Sequence, residues 1–231
     1  MGRVGCNCFL PCYTKMKWRG ELKVHPDEQD RTTTAWQDLL ILIDEAAKDR
    51  REVFEPAREL GKDTWLQIQS LPNEIKQLTH VKHLILYGSN LRRIPIEIGQ
   101  MHALEELNTY TSYELHWYPF EINRCQNLVR SKMSTRALYG NYKYRPPFPA
   151  LRQVPVQFYQ DETRCSVCDQ ISTAQQLNQV WISIRVATDV LPLLARVCSL
   201  KCLQQLPKGA ENYLSEPHKG GLGITQPPKS F

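Results

Sequence analysis

The sequence lacks the features that would place a chain of 231 residues in several large classes. Its longest aliphatic run, 39–43, is five residues, whereas a membrane helix needs about 20 apolar residues. The first ten residues hold one basic residue and no small-residue cleavage pattern, so we expect no signal peptide and a cytoplasmic location. A phosphate-binding loop, a nucleophile elbow and a paired-carboxylate site are also missing. We therefore expect no enzymatic activity.

Composition and charge are those of a folded chain with an uneven surface. The hydrophobic fraction of 42% and the charged fraction of 23% are close to globular averages. Residues 27–63 carry eleven acidic against six basic side chains, whereas residues 122–160 carry seven basic side chains and no acidic one. Eight cysteines without an export signal favour a reducing compartment, where closely paired thiols are more often metal ligands than disulfides.

An amphipathic helix is predicted from residue 34. Thr34 and Gln37 have the spacing of a capping box. Apolar residues then recur at three- and four-residue intervals, and they are Trp36, Leu39, Leu40, Leu42, Ile43 and Ala47. We assign residues 1–33 to a cysteine-containing N-terminal segment and residues 34–70 to a helical cap.

An internal repeat follows the predicted cap. The segment Leu-Pro-Asn-Glu-Ile at 71–75 returns as Ile-Pro-Ile-Glu-Ile at 94–98 and as Tyr-Pro-Phe-Glu-Ile at 118–122, with the prolines 23 and then 24 residues apart. An apolar position behind each copy keeps the same spacing at Val81, Leu104 and Leu128. Self-similarity at a fixed period of this length is typical of repeat architectures.

These residues resemble the leucine-rich repeat family, in particular short bacterial proteins with Leu-Pro-x-Glu-Ile units. The apolar positions of the family's eleven-residue segment are matched by Val81, Leu84, Leu86 and Leu91. Ser89 and Ser112 stand where the family places Asn, so the buried amide ladder must be replaced by hydroxyls or shifted by one residue, in which case Asn90 could supply part of it. The resemblance implies an α/β fold in which residues 71–153 form a short solenoid of about three units, with parallel strands such as His83–Leu86, and an aromatic closing loop.

The resemblance also implies a role in protein recognition, because repeat surfaces usually bind partners. We expect a non-enzymatic scaffold whose partner is a protein. The expected contact strip consists of Tyr87, Tyr110, Tyr113, Trp117 and Arg136.

Four cysteines in the C-terminal third form the sharpest local motif. Cys165 and Cys168 are separated from Cys198 and Cys202 by 29 residues. Zinc prefers four tetrahedral ligands, and a Cys-x2-Cys turn presents two sulfurs on one side. Residues 154–214, with a strand at 180–186 and a helix beginning near Cys202, are similar to treble-clef and zinc-ribbon modules. We predict one structural Zn²⁺ here; unligated thiols and a redox-active Cys-x-x-Cys are the alternatives.

Two terminal segments have no hydrophobic periodicity. Cys6, Cys8 and Cys12 form a cluster without an obvious fourth ligand, which favours a disordered, reactive or lipid-modified N-terminus over a second metal site. Residues 215–231 are rich in Pro and Gly, and we expect a disordered tail.

Two other functions fit parts of the sequence. Residues 124–152 interleave basic and aromatic side chains, the ingredients of single-stranded nucleic-acid binding, so a nucleic-acid-binding regulator is one alternative. The cysteine content favours a thiol-redox or metal-sensing protein as the other.

Overall fold

A long helix is the first regular element of the structure. The computed structural model describes residues 22–158 and 162–229, and helix α1 spans Thr34–Asp49. The Thr33 side chain caps it by accepting a hydrogen bond from the Trp36 backbone N–H, so the helix is confirmed and its cap lies one residue before the predicted pair. Among the described helices, none is long and apolar enough to cross a membrane.

Four short parallel strands form the largest sheet, in the order β1-β2-β3-β5. They are β1 (Val53–Phe54), β2 (His83–Ile85), β3 (Glu106–Thr109) and β5 (Arg130–Met133). His83 pairs with Glu106, and Glu106 pairs with Arg130. The 23- and 24-residue steps of the sequence repeat are therefore the register of this sheet.

Repetition of the same apolar positions builds the core beneath the sheet. Leu84 and Leu107, in neighbouring strands, are completely buried. Each Pro-x-Glu-Ile copy forms a 3-10 turn, at Asn73–Gln77, Ile96–Gln100 and Phe120–Arg124. Since side chains alternate between the two faces of a strand, His83 and Ile85 point to the opposite, partly exposed face.

The predicted leucine-rich repeat solenoid is wrong. Over residues 22–158 and 162–229, the fold is a mixed α/β arrangement of one four-stranded parallel sheet, smaller sheets and few helices. The periodic positions set the register of three strands, and the fourth, Val53–Phe54, lies outside the period. Because about half of the chain follows other pairings, the repeat does not propagate into a solenoid.

The remaining elements are short, except for two nine-residue strands. They are α2 (Pro56–Glu59), α3 (Lys62–Trp65), β4 (Tyr118–Pro119), a 3-10 turn (Thr135–Ala137), β6 (Glu162–Arg164), β7 (Ile171–Thr173), β8 (Asn178–Val186), β9 (Asp189–Val197) and α4 (Leu200–Gln204). Strands β6 and β7 are antiparallel, and β8 and β9 are hydrogen-bonded neighbours.

The chain divides into two compact units. The "sheet unit" contains residues 27–134 and 185–189, and the "cysteine unit" contains the described parts of 1–26, 135–184 and 190–231. The division falls after Ser134, whereas the sequence suggests a boundary near residue 153. The five-segment organisation predicted above stays a prediction.

Residues 215–229, expected to be disordered, make specific backbone contacts. His218 and Trp181 exchange backbone hydrogen bonds of 2.8 and 3.0 Å. The Lys219 carbonyl accepts from Leu151 at 2.8 Å, and Gly220 has φ +69° with its backbone against the Pro149 carbonyl. The segment has no apolar period, but its backbone groups find partners in neighbouring loops, which composition alone does not reveal.

Aromatic residues of the loop predicted to close the repeat stack pack against Trp181. The Tyr139 ring centroid lies 5.7 Å from that of Trp181 and 6.1 Å from that of Phe148. All three side chains are buried. They form an aromatic core within the cysteine unit.

Candidate metal centre

The first cysteine pair lies in a tight turn between β6 and β7. The Cys165 backbone N–H donates to the Gln170 carbonyl at 2.9 Å, and the Asp169 N–H donates to the Cys165 carbonyl at 3.0 Å. Asp169 has φ +61°, a left-handed conformation that Asp tolerates better than most residues. This turn aims backbone N–H groups at the Cys165 sulfur.

The second pair lies at the junction of β9 and α4. Ser199 is the N-cap of α4, and its Oγ accepts a hydrogen bond from the Cys202 N–H at 3.2 Å. Cys202 therefore sits in the first helical turn, where the N-terminal end of a helix favours negative charge. The predicted order of cysteine pair, strands, cysteine pair and helix is found.

The four cysteines converge to one cluster. Their Sγ atoms all lie within 4.8 Å of one another, and Cys198 Sγ is 3.6 Å from both Cys168 Sγ and Cys202 Sγ. Tetrahedral zinc with Zn–S bonds of about 2.3 Å holds its sulfurs about 3.8 Å apart. Cys165 and Cys202 are buried and Cys168 is exposed. The cluster can hold one metal ion of the size and softness of zinc.

The pKa values of two of the thiols, Cys165 and Cys198, are shifted in opposite directions. Burial opposes ionisation of Cys165, but backbone N–H groups of Cys168, Val167 and Cys198 donate to its sulfur and lower its pKa to about 6. Hydrogen bonds with the Cys168 and Cys202 side chains, together with burial, raise the pKa of Cys198 to about 12. The Cys165 thiol therefore ionises more readily than the Cys198 thiol. A bound cation would favour the thiolate form of each ligand, because thiolates are the metal-binding form.

Comparisons with protein families and with curated proteins identify no relative of this chain. No protein-family model matches the chain. A search of curated proteins also finds no match. The leucine-rich repeat resemblance therefore gains no support from related sequences, and the metal centre rests on its own geometry.

Polar residues near the cysteines in the sequence, absent from the predicted site, contact one another. Arg196 is 2% exposed, and its guanidinium donates to Thr163 Oγ1. The Ser166 N–H donates to the Arg196 carbonyl at 2.7 Å, and Ser166 Oγ accepts from the Arg196 N–H at 2.9 Å. Thr163 and Arg196 each precede a cysteine by two residues, the one signal in the sequence that marks them.

Members of the predicted contact strip are divided between the two units. Tyr87, Tyr110 and Tyr113 are about half exposed in the sheet unit. Trp117 is 4% exposed, so its inclusion was wrong: the indole packs inside. Arg136 is exposed but belongs to the cysteine unit, where its guanidinium lies 5.8 Å from the Tyr144 ring centroid.

A charged cluster on the partly exposed face of the parallel sheet was also missed. Glu106 lies 3.3 Å from Arg130 Nε, 3.4 Å from Lys132 Nζ and 3.5 Å from His83 Nδ1. The neighbouring cations lower the pKa of Glu106 against the opposing effect of its burial. Arg130 and Lys132 remain 58% and 66% exposed. The register of the sheet, which follows the 23- and 24-residue steps of the repeat, brings these residues together.

The basic-aromatic stretch 124–152 offers few stacking side chains. Tyr139 and Phe148 are buried, and so is Arg145, which donates to the carbonyls of Gly140 and Asn212. Aromatic rings must be accessible to stack on bases. The other predicted cluster, Cys6, Cys8 and Cys12, lies outside the described residues.

Proposed function

We propose that the chain is a non-enzymatic protein-binding module stabilised by one structural zinc ion. The observation that carries the proposal is the convergence of four Sγ atoms within 4.8 Å. Cys165, Cys168, Cys198 and Cys202 would hold the ion. Four sulfur ligands fill a tetrahedral zinc site and leave no position for substrate, so the metal supplies folding energy.

Metal content tests the zinc part of the proposal. Protein purified without a metal-affinity step should contain about one zinc per chain, measured by plasma mass spectrometry. Cys165→Ser and Cys198→Ser should both lose it. Cys125→Ser is the matched control, because Cys125 is a buried free cysteine outside the cluster. A metal-free wild-type protein, or zinc retained by both cluster variants, contradicts the proposal.

The partly exposed face of the parallel sheet is the proposed recognition surface. Tyr87 and Tyr110 have ring centroids 6.2 Å apart and are 49% and 51% exposed. Register places Arg130 and Lys132 on the same face. Tyr and Arg are enriched in the centres of protein interfaces, where a large ring or a guanidinium fills a partner's pocket. A partner segment that offers carboxylates beside an apolar side chain would complement this face.

Charge favours a protein over a nucleic acid as the partner of this face. The sheet unit contains 14 Lys and Arg against 18 Asp and Glu, a net charge of −4. A polyanion binds by neutralising many phosphates with basic residues, and Glu106 already engages the two cations. A local positive site in an acidic unit suits a short acidic segment better.

Affinity capture tests the recognition surface. Wild-type protein should retain a partner from lysate after nuclease treatment, and Tyr87→Ser/Tyr110→Ser should lose it. Tyr142→Ser, at a 42% exposed tyrosine of the other unit, is the control. Binding that depends on nuclease-sensitive material and falls steeply with salt would favour the nucleic-acid alternative. Equal capture by the double variant would refute this surface.

A thiol-redox function is the second candidate, because one thiol of the cluster ionises easily. Cys165 has a pKa of about 6 and lies beside a Cys168–Cys198 sulfur pair at 3.6 Å. Thiolates are the nucleophiles of disulfide exchange. Two results on zinc-free native protein would favour this function. Cys165 would be alkylated rapidly at pH 7 in the reduced protein, and it would be recovered in a disulfide from the protein left unreduced.

A further inference from the structure

The strands that lead into the two cysteine pairs are joined by a polar contact without a sulfur atom. Thr163 lies in β6, two residues before Cys165, and Arg196 lies in β9, two residues before Cys198. The Arg196 guanidinium donates a hydrogen bond to Thr163 Oγ1. Both side chains are buried, Thr163 at 5% and Arg196 at 2% exposure. If the two strands moved apart, the buried guanidinium and hydroxyl would lose the hydrogen bond between them, which costs free energy in the protein interior.

Ser166 adds a second connection at the backbone. It follows Cys165 directly, and its N–H donates to the Arg196 carbonyl at 2.7 Å. Its Oγ accepts from the Arg196 N–H at 2.9 Å. Both lengths are those of well-formed hydrogen bonds. The turn that carries the first pair is thereby fixed to the strand that carries the second.

The Arg196 side chain is itself held in place. Its Cζ lies 4.8 Å from the Phe158 ring centroid, within the range of a cation–π contact. The planar guanidinium presents its donors in fixed directions, unlike a lysine ammonium. A buried side chain with a fixed orientation can set the separation of the two elements that it joins.

We propose that Arg196 is a positioning residue of the cysteine centre: through Thr163 and Ser166 it holds the two pairs in register without help from the metal. The inference rests on the proposed zinc site. Residues outside the ligand set that orient the ligands typically change metal affinity 10–100-fold when they are replaced. Loss of the contacts that Arg196 makes with Thr163 and Ser166, called the clamp below, should weaken metal binding to this extent. The metal would then have to order the two cysteine pairs as it binds.

The change in metal affinity is measured by titrating the reduced, metal-free protein with cobalt. The visible absorption of tetrahedral cobalt thiolate reports how much metal is bound. Thr163→Val removes the hydroxyl and Thr163→Ser keeps it, which makes a matched pair. We expect about 10–100-fold weaker binding for Thr163→Val and Arg196→Met, and near wild-type binding for Thr163→Ser. Lys201→Met removes an exposed cation beside Cys202 and should have no such effect. Wild-type affinity in both Thr163→Val and Arg196→Met overturns the inference.

Two further measurements separate positioning from unfolding and from absence of metal. Near-ultraviolet circular dichroism of each metal-free variant reports the environment of buried Trp181, and affinities are compared only between variants with the wild-type spectrum. Oxidation of the metal-free protein by diamide, with disulfides mapped by mass spectrometry, should give both the cross-pair Cys168–Cys198 bond and the within-pair Cys198–Cys202 bond in wild type and Thr163→Ser, because both sulfur pairs lie 3.6 Å apart. Thr163→Val should give within-pair bonds alone. Equal disulfide patterns in all three contradict the clamp. A wild-type protein that binds neither cobalt nor zinc refutes the proposed zinc function, and the disulfide pattern still decides the clamp.

Discussion

The sheet unit and the cysteine unit are ordered by different kinds of contact. In the sheet unit, residues 23 or 24 positions apart pair in neighbouring strands, and equivalent apolar side chains fill the core at every step. In the cysteine unit, contacts join residues at unequal separations, such as 5 positions between Arg145 and Gly140, 30 between Cys168 and Cys198, and 83 between Arg145 and Pro228. Stability in the first unit is spread over equivalent positions, whereas in the second it depends on a few particular groups.

The largest expected effect is in the core of the sheet unit. Leu107 is completely buried in β3, and Leu107→Ala should lower the free energy of unfolding by about 2–5 kcal/mol, because the lost methyl groups leave a cavity. Hydrogen exchange should increase across β2, β3 and β5. Leu222→Ala, at a 63% exposed position, should change stability by less than about 0.5 kcal/mol. Equal effects of the two variants would show that the sheet core is not as described.

In the cysteine unit, replacing a single glycine should lower the free energy of unfolding almost as much as Leu107→Ala does in the sheet unit. Gly220 has φ +69°, and a Cβ added there would lie 2.1 Å from the Pro149 carbonyl oxygen. Gly220→Ala should cost about 2–4 kcal/mol through left-handed strain and overpacking. Gly223, which has open space around it, provides the control Gly223→Ala. Limited proteolysis should cut residues 215–229 faster in Gly220→Ala alone; equal cutting in the two variants would return the segment to the disordered tail expected from composition.

The two units also differ in how far the sequence predicts them. The strand at His83 is predicted by the family resemblance that the proline and leucine period carries, whereas the 3-10 turn that follows each proline is not. The same period led to the wrong prediction of a solenoid, because it does not specify how many units stack. In the cysteine unit, spacing predicts the clustering of the four cysteines. It does not predict the buried roles of Thr163 and Arg196, because a threonine and an arginine are most often surface residues.

Acid should weaken the cysteine unit selectively through His218. The imidazole packs against Phe148 with ring centroids 4.6 Å apart, and burial lowers its pKa from 6.5 to about 4. The unfolded chain takes up this proton near pH 6.5 and the folded chain only near pH 4, so the free energy of unfolding falls as pH drops through that window. The loss is roughly 2–3 kcal/mol.

Urea denaturation at pH 7 and pH 4.5 measures this loss. His218→Gln should remove the pH-dependent part, whereas His102→Gln, at an exposed histidine of the sheet unit, should keep the wild-type slope. Any effect of acid on the proposed metal site is common to all variants. The difference between His218→Gln and wild type therefore isolates the imidazole, and identical slopes would contradict this role.

The smallest effect concerns polar groups inside the sheet unit. Ser89 Oγ and Ser112 Oγ lie 2.7 Å apart in the core, and Ser112 Oγ also donates to the Leu86 carbonyl at 3.1 Å. Hydroxyls thus occupy the place expected for an amide ladder. Ser112→Ala should cost about 1–2 kcal/mol, because it leaves buried acceptors without a donor. Ser172→Ala, whose hydroxyl bonds an exposed Gln176, should be close to neutral.

A double-mutant cycle decides whether the two hydroxyls act as a ladder. If Ser89 and Ser112 stabilise the core through each other, Ser89→Ala/Ser112→Ala should cost less than the sum of the single variants by about 0.5 kcal/mol or more, since the second substitution removes a group that has already lost its partner. Additive costs would mean that each hydroxyl acts separately on the backbone. The polar groups in the turns of the sheet unit would then be satisfied one by one.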